Sequence, residues 1–170
     1  MPIIIDNDDE CKLVNEIAIT LGKRAIIGIR LSGFLIGNKK LYSRFGFDSD
    51  SVVHYVSENI GKLKKYRYLD VEGLHFHLDG YSIEQRGKAA IDCISISNKL
   101  RNLSFSISFI DMGGGILINY LKEQSQWDDF NQQLIKQTLS NNENITFNGD
   151  GLGYVKFDDR VYGKLNTYPY

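Results

Sequence analysis

The stretch F-S-I-S-F-I-D-M-G-G-G-I, from Phe105 to Ile116, decides how the rest of the chain is read. Phe105, Ile107 and Phe109 alternate with Ser104, Ser106 and Ser108, the period-two pattern of a strand, and Ile110 and Asp111 lead from it into three consecutive glycines. Successive residues without Cβ can turn their N–H groups toward one point, a concavity of donors that suits a phosphate. The competing reading is a tight strand-to-loop turn. What stands around the glycines has to separate the two.

Upstream, the chain alternates strands and helices. Ile3, Ile4 and Ile5 form a short apolar strand, and the acidic run from Asp6 to Glu10 suits the N-terminus of a helix that places Leu13, Ile17 and Leu21 on one face, with Val14 and Ala18 beside them, before Gly22 closes it. Ala25 to Leu31 is a second strand carrying a single charge, Arg30, near its C-terminal end. That charge is either an edge residue reaching solvent or a group reaching into a site. Residues 32–47 lose all period and read as a loop with at most one helical turn, long enough to be functional. Asp48, Ser49, Asp50 and Ser51 offer several N-caps for a helix through about Lys62 that buries Val52, Val53, Val56 and Ile60, leaves His54 in solvent, and ends in a solvated basic cluster of Lys62, Lys64, Lys65 and Arg67.

Tyr68 to Leu78 is the third strand, and His75 and His77 project from one face of it. Two imidazoles without a third ligand at suitable spacing do not make a metal site. Asp79 and Gly80 turn the chain directly into a helix opened by a Ser82/Gln85 capping box, a second spot favourable to an anion. That helix runs to about Leu100 with Ala89, Ala90, Cys93, Ile94, Ile96 and Leu100 inward. After the glycines, Ser125 and Asp128 suggest another capping box and a helix fading by Leu139. Tyr154 to Phe157 and Arg160 to Tyr162 then flank Asp158-Asp159 as a hairpin. The glycines of Gly149-Asp150-Gly151-Leu152-Gly153 lie between strands, not between a strand and a helix, so they do not make a dinucleotide loop.

Four consecutive βα units with apolar strands require a parallel sheet covered on both faces. Asp6, Arg30, His77 and the glycines all fall at C-terminal strand ends, where barrel sites and open-sheet sites alike are built. A whole barrel takes about 250 residues, so 170 residues hold roughly half of one. We expect residues 1–144 to form that partial barrel and residues 145–170 a β-hairpin extension. A net charge of -1 excludes a basic nucleic-acid or lipid-binding surface, no targeting or membrane-spanning segment is evident, and two distant cysteines make neither a disulfide framework nor a zinc site. A cytoplasmic location with no metal, no nucleic-acid partner and no membrane follows as the expectation. Two exposed sheet edges imply a homo-oligomer.

Three motifs in order, S-R-F-G-F at Ser43–Phe47, G-L-H-F-H-L at Gly73–Leu78 and D-M-G-G-G-I at Asp111–Ile116, resemble the barrel domain of the fold-type III pyridoxal-phosphate enzymes. That family comprises diaminopimelate, ornithine and arginine decarboxylases and is related to alanine racemases. H-L-D-G-Y-S-I-E-Q-R from His77 to Arg86 resembles a less characterised branch. The resemblance implies an alanine-racemase-like barrel and pyridoxal 5'-phosphate as cofactor, with His77 stacking on its ring, Arg30 at ring level, and Gly113, Gly114 and Gly115 holding its phosphate. Many relatives have Gly-Ser where this chain has Asp79-Gly80, and Ser82 is the candidate replacement hydroxyl. The family's Schiff-base lysine lies on the first barrel strand, and no lysine here has a comparable context. The implied reading is therefore a segment of an amino-acid decarboxylase, catalytically incomplete as it stands and with no catalytic residue assigned. A non-catalytic phosphate-ligand module and a racemase parent are the alternatives.

Overall fold

A computed structural model describes residues 2–80, 82–115, 122–140, 154–157 and 160–163. The chain divides into two compact units, Met1–Ile116 and Leu117–Tyr170.

In the first unit, β1 (Ile3–Ile5), β2 (Ala25–Ser32), β6 (Leu69–Phe76) and β7 (Phe109–Asp111) form a parallel sheet in that spatial order. The connections carry α1 (Asp8–Leu21), α2 (Val52–Asn59) and α3 (Ile83–Asn102). This is the βα succession of a partial (βα)8 barrel, with β1 and β7 as its edge strands among the described residues. One sheet face is apolar and covered: Ile5, Ile27, Ile29, Leu31, Leu69, Val71, Leu74 and Phe76 are buried with Val52, Val56, Ala89, Cys93, Ile96 and Leu100.

The other face is built in rows fixed by the parallel register. Gly28 pairs with Gly73 and Gly73 with Phe109; a Cβ on Gly73 would run into the Phe109 ring, while one on Gly28 would meet Ile4 Cδ1 at 2.7 Å and the ring at 3.1 Å, so the two glycines make room for the ring. One step toward the C-terminal ends, Arg30 pairs with His75 and His75 with Asp111. A bulge at Glu72, where the register moves between Ile27/Val71 and Gly28/Gly73, keeps Gly73, His75 and His77 on this face.

Helix caps follow the sequence. Asn7 accepts from the Glu10 amide, Gly22 closes α1 with φ 63°, and Ser82 accepts from the Gln85 amide at 3.2 Å. Asp8, beside the α1 N-terminus, accepts from the hydroxyls of Tyr55 and Tyr66 at 2.6 and 2.7 Å and pairs with Lys65 at 2.9 Å. The first two bonds hold its carboxyl down at about 2 and tie α1 to α2 and the segment after it. Cys11 and Cys93 are free and buried, and burial pushes their thiols up to about 11 and about 12.

Several expectations are corrected. In α1 the buried residues are Cys11, Asn15 and Ala18, while Leu13, Ile17 and Leu21 are at least half exposed. The small side chains bring the helix close to the sheet, and Asn15 accepts from the Tyr68 amide at 3.0 Å, a bond no leucine makes. Residues 32–47 are not an irregular loop: β3 (Phe34–Ile36) and β4 (Lys39–Leu41) form a hairpin around Gly37, whose φ is 57°, and β5 (Phe47–Asp48) joins the end of β2. Helix α2 ends at Asn59, so the basic cluster lies beyond it, with Lys64 on Glu58 and Lys65 on Asp8. Ile94 faces solvent. Strand β7 starts only at Phe109, because the Ile107 amide folds back onto the Phe105 carbonyl and ladder contact with β6 begins at Ser108.

In the second unit α4 (Gln124–Ser140) starts one residue before Ser125. The Lys122 and Glu123 amides are capped by Gln126, in place of the expected Ser125/Asp128 box. Strands β8 (Tyr154–Phe157) and β9 (Arg160–Gly163) form the expected antiparallel hairpin. The glycine cluster from Gly149 to Gly153 and the turn at Asp158-Asp159 lie outside the described residues. Among the described residues no helix is long and apolar enough to cross a membrane.

Two outcomes follow. Gly73→Ala should lose about 1–3 kcal/mol of stability in urea unfolding through overlap with Phe109, and adding Phe109→Leu should recover part of it. Because Asp8 titrates lower in the folded chain than in the unfolded one, its contribution is complete above about pH 4 and is lost as pH falls toward about 2. Asp8→Asn should flatten that part of the stability profile.

Candidate functional site

The C-terminal ends of β2, β6 and β7 bring Arg30, His75, His77, Asp111 and the glycines together. Arg30 directs Nη1 at both carboxylate oxygens of Asp6, at 3.3 and 3.2 Å, and its guanidinium lies 4.9 Å from the Phe45 ring centroid. Across the row, His75 Nδ1 is 3.0 Å from Asp111 Oδ2, within ion-pair distance when the imidazole is protonated but not aligned as a hydrogen bond. The Gly113 amide, and then the two histidines, hold the Asp111 carboxyl below the usual range. The layer under the site is thus Asp6, Arg30, His75 and Asp111, with acidic ends and a basic middle. Among the described residues no three His, Cys, Asp or Glu side chains converge as a metal would require.

One turn further out, His77 is exposed and the glycine loop leans on it. The Gly114 amide donates to His77 Nδ1 at 3.4 Å, which makes Nδ1 the acceptor and leaves the proton on Nε2. The Gly113 amide donates to Asp111 Oδ1 at 2.9 Å. Two of the three expected phosphate donors are therefore occupied by side chains in this arrangement. The crowding explains why the residues are glycines. Gly113, at φ 65°, would place a Cβ 2.6 Å from the Phe76 carbonyl and 2.8 Å from His77 Nδ1, whereas the nearest atom to a Cβ on Gly114 is 3.8 Å away. Gly115, at φ 82°, would overlap Nη2 of Arg86.

Ser82 sits at the α3 N-terminus with its oxygen accepting from the Gln85 amide, a bond that leaves its hydroxyl proton able to donate. Asp79 bends onto the adjacent Gly80 amide at 2.9 Å, which ties up one carboxylate oxygen. Arg86, to which the sequence assigned no role, is 5 % exposed, and its Nη2 donates to the carbonyls of Gly80 at 2.7 Å and Gly115 at 2.9 Å. An arginine in the first turn of a helix, where positive charge is disfavoured, was the signal available in the sequence. Beside His77, a cavity of about 300 Å³ is lined by Ser32, Lys39, Lys40, Tyr42, Asp79 and Gln85 among others. Lys40 is held there by Asp48 and Asp50, whose hydrogen bonds raise its pKa and keep it protonated.

Residues 1–150 match the family described as pyridoxal-dependent decarboxylase, pyridoxal binding domain. The chain is 32% identical over 120 residues to an uncharacterised protein, y4yA, of Sinorhizobium fredii, an alignment covering 70% of this chain and 24% of that protein. It is 27% identical over 131 residues to diaminopimelate decarboxylase of Aquifex aeolicus, covering 72% and 30%. Among solved structures it is similar to diaminopimelate decarboxylase from Helicobacter pylori complexed with L-lysine, with a TM-score of 0.57 and 24% identity over 72% of this chain and 32% of that one, a likeness of fold. The chain spans a quarter to a third of the length of the relatives it matches.

The two glycines beside His77 should respond differently. Gly113→Ala should destabilise by about 1 kcal/mol or more, from a left-handed backbone and a closed space, and shift the His77 ring nitrogen resonances. Gly114→Ala should change stability by less than about 0.5 kcal/mol. Equal effects in thermal melts would contradict the packing described.

Proposed function

The chain belongs to the pyridoxal-dependent decarboxylases through their pyridoxal binding domain, and from that premise we propose that it is the segment of such an enzyme that holds pyridoxal 5'-phosphate. In this reading Gly113, Gly114 and Gly115 receive the phosphate with the Ser82 hydroxyl, His77 lies against the pyridine ring, and Arg30 stands at ring level. The observation that carries it is the loop from Gly113 to Gly115, pressed so closely on His77 and Arg86 that side chains at its first and last positions are excluded, beside a buried guanidinium. Such a space is shaped for backbone donors and a negative charge. The residues present fit the group.

When bound, pyridoxal 5'-phosphate would accept the electron pair left on the α-carbon as an amino acid loses its carboxylate. Each residue of the chain has a narrower task. His77 offers a flat, exposed imidazole with Nε2 protonated, and the Gly114 amide fixes its orientation. Arg30 is held in place by Asp6 and by the Phe45 ring. Release of the Gly113 and Gly114 amides from Asp111 and His77 would accompany phosphate entry, since both now donate to side chains.

Covalent attachment is not part of the proposal. Lys40 is kept charged by two carboxylates, and a protonated amine is no nucleophile. An amino-acid substrate and its decarboxylation belong to the longer protein of which this chain covers one part. The edges of β1 and β7, unpaired among the described residues, and the exposed Leu13, Ile17 and Leu21 are where the rest of a barrel or a second copy would join.

Calorimetric titration should give pyridoxal 5'-phosphate a clear advantage over inorganic phosphate. His77→Ala should remove that advantage while leaving phosphate binding within about threefold of its original strength. Equal affinities in the unsubstituted chain would point instead to a module for phosphorylated ligands at large. Borohydride reduction of the mixture should yield no stoichiometric lysine adduct, and an adduct mapped to Lys39 or Lys40 would refute the non-covalent reading.

A further inference from the structure

Arg86 sits where a cation is hard to accommodate. Its side chain enters from the first turn of α3, at the positive end of the helix dipole, and the residue is only 5 % exposed. A guanidinium does not shed its proton, so a buried one must find negative charge or carbonyl dipoles. Among the described residues no carboxylate pairs with it. Nη2 alone is served, by the carbonyls of Gly80, Gly115 and, at 3.5 Å, Leu78, while Nε and Nη1 are buried without a partner. The three carbonyls belong to the two turns that follow β6 and β7, the same turns that carry the candidate phosphate donors.

We infer that Arg86 is the positioning residue of the phosphate site. It clamps the turn at Gly80 to the glycine loop at Gly115 and places a permanent positive charge behind both, so that the pair is set for a dianionic phosphate monoester. This inference rests on the reading of the preceding subsection and deepens it. The geometry gives the clamp two separable parts. Nη2 joins the loops by donating to the Gly80 and Gly115 carbonyls, and the unneutralised charge of the guanidinium balances the phosphate that the site would otherwise meet with Asp79 nearby. Gly115 is the sequence counterpart of this role, because any larger residue there occupies the space of Nη2.

The test compares the 170-residue chain with Arg86→Met and Arg86→Lys, titrated with pyridoxal 5'-phosphate, with pyridoxal lacking the phosphate, and with inorganic phosphate. In the unsubstituted chain the phosphorylated form should bind more tightly than pyridoxal. Arg86→Met should weaken pyridoxal 5'-phosphate and inorganic phosphate by about tenfold or more and leave pyridoxal unchanged, and Arg86→Lys should retain part of the lost affinity. A loss that is equal for pyridoxal and its phosphate would mark Arg86 as merely structural and overturn the inference, as would no loss at all or an unsubstituted chain that binds neither phosphate probe. Arg86-dependent binding of inorganic phosphate without preference for the pyridoxal form would instead refute the cofactor reading and leave the clamp standing. If Arg86→Met does not fold, the rise in Tm on adding phosphate decides the matter. It should be smaller in Arg86→Lys than in the unsubstituted chain, and an equal rise overturns the inference.

Discussion

The parallel register of β2, β6 and β7 is the constraint on which the rest of the site depends. Parallel strands place corresponding residues side by side and end at the same level, so pairing Gly28 with Gly73 and Gly73 with Phe109 also aligns Arg30, His75 and Asp111 one step above. A slip of one residue would turn this charged row into the covered apolar face. The bulge at Glu72 absorbs the one irregularity in the β2–β6 pairing, and it does so below the row rather than within it. Above the row, the same alignment brings the turn after β7 against the turn after β6. Loop chemistry and strand pairing are therefore one problem in this protein.

Charge is distributed with a consistent logic around that alignment. The two carboxylates at the ends of the row, Asp6 and Asp111, lie within ion-pair distance of the two basic side chains in its middle, Arg30 and His75. Arg86 lies outside this balance and holds carbonyl oxygens instead of a carboxylate. Asp79 is turned onto its own chain and Lys40 is held by two acids. Among the described residues no carboxylate pairs with Arg86, whose charge lies behind the glycine loop, and this is what supports an anion as the proposed occupant. The Gly113 and Gly114 amides are meanwhile satisfied by Asp111 and His77, which avoids leaving these donors idle, and in the proposed reading a phosphate would replace those acceptors.

Much of the fold was legible because local rules and tertiary packing agreed. The apolar runs of β1, β2 and β6, the Gly22 stop and the Ser82 cap are each dictated within a few residues. Legibility failed where a partner decides. Leu13, Ile17 and Leu21 look like a core stripe in α1, yet Cys11, Asn15 and Ala18 are the buried ones, because close approach to the sheet and a bond to the Tyr68 amide favour small or polar side chains. The segment Phe34–Leu41 showed no period because its strands are three residues each, too short to display one. Phe105–Ser108 alternates like a strand, but a tight turn at Phe105–Ile107 keeps it off the ladder.

By itself the sequence determined the βα succession, the placement of His77 and the glycines just past the C-terminal ends of two strands, and the need for backbone freedom at Gly113 and Gly115. These follow from residue type and spacing, since a side chain's periodicity and a glycine's missing Cβ act within a few positions. Only the tertiary structure decided that the Gly114 amide rests on His77, that Asp6, Arg30, His75 and Asp111 form a single row, and that Arg86 joins the turn at Gly80 to the turn at Gly115, the latter 29 residues from it in sequence. The reason is that these are long-range pairings set by strand register, and a guanidinium looks the same in the sequence whether it ends in water or against two buried carbonyls.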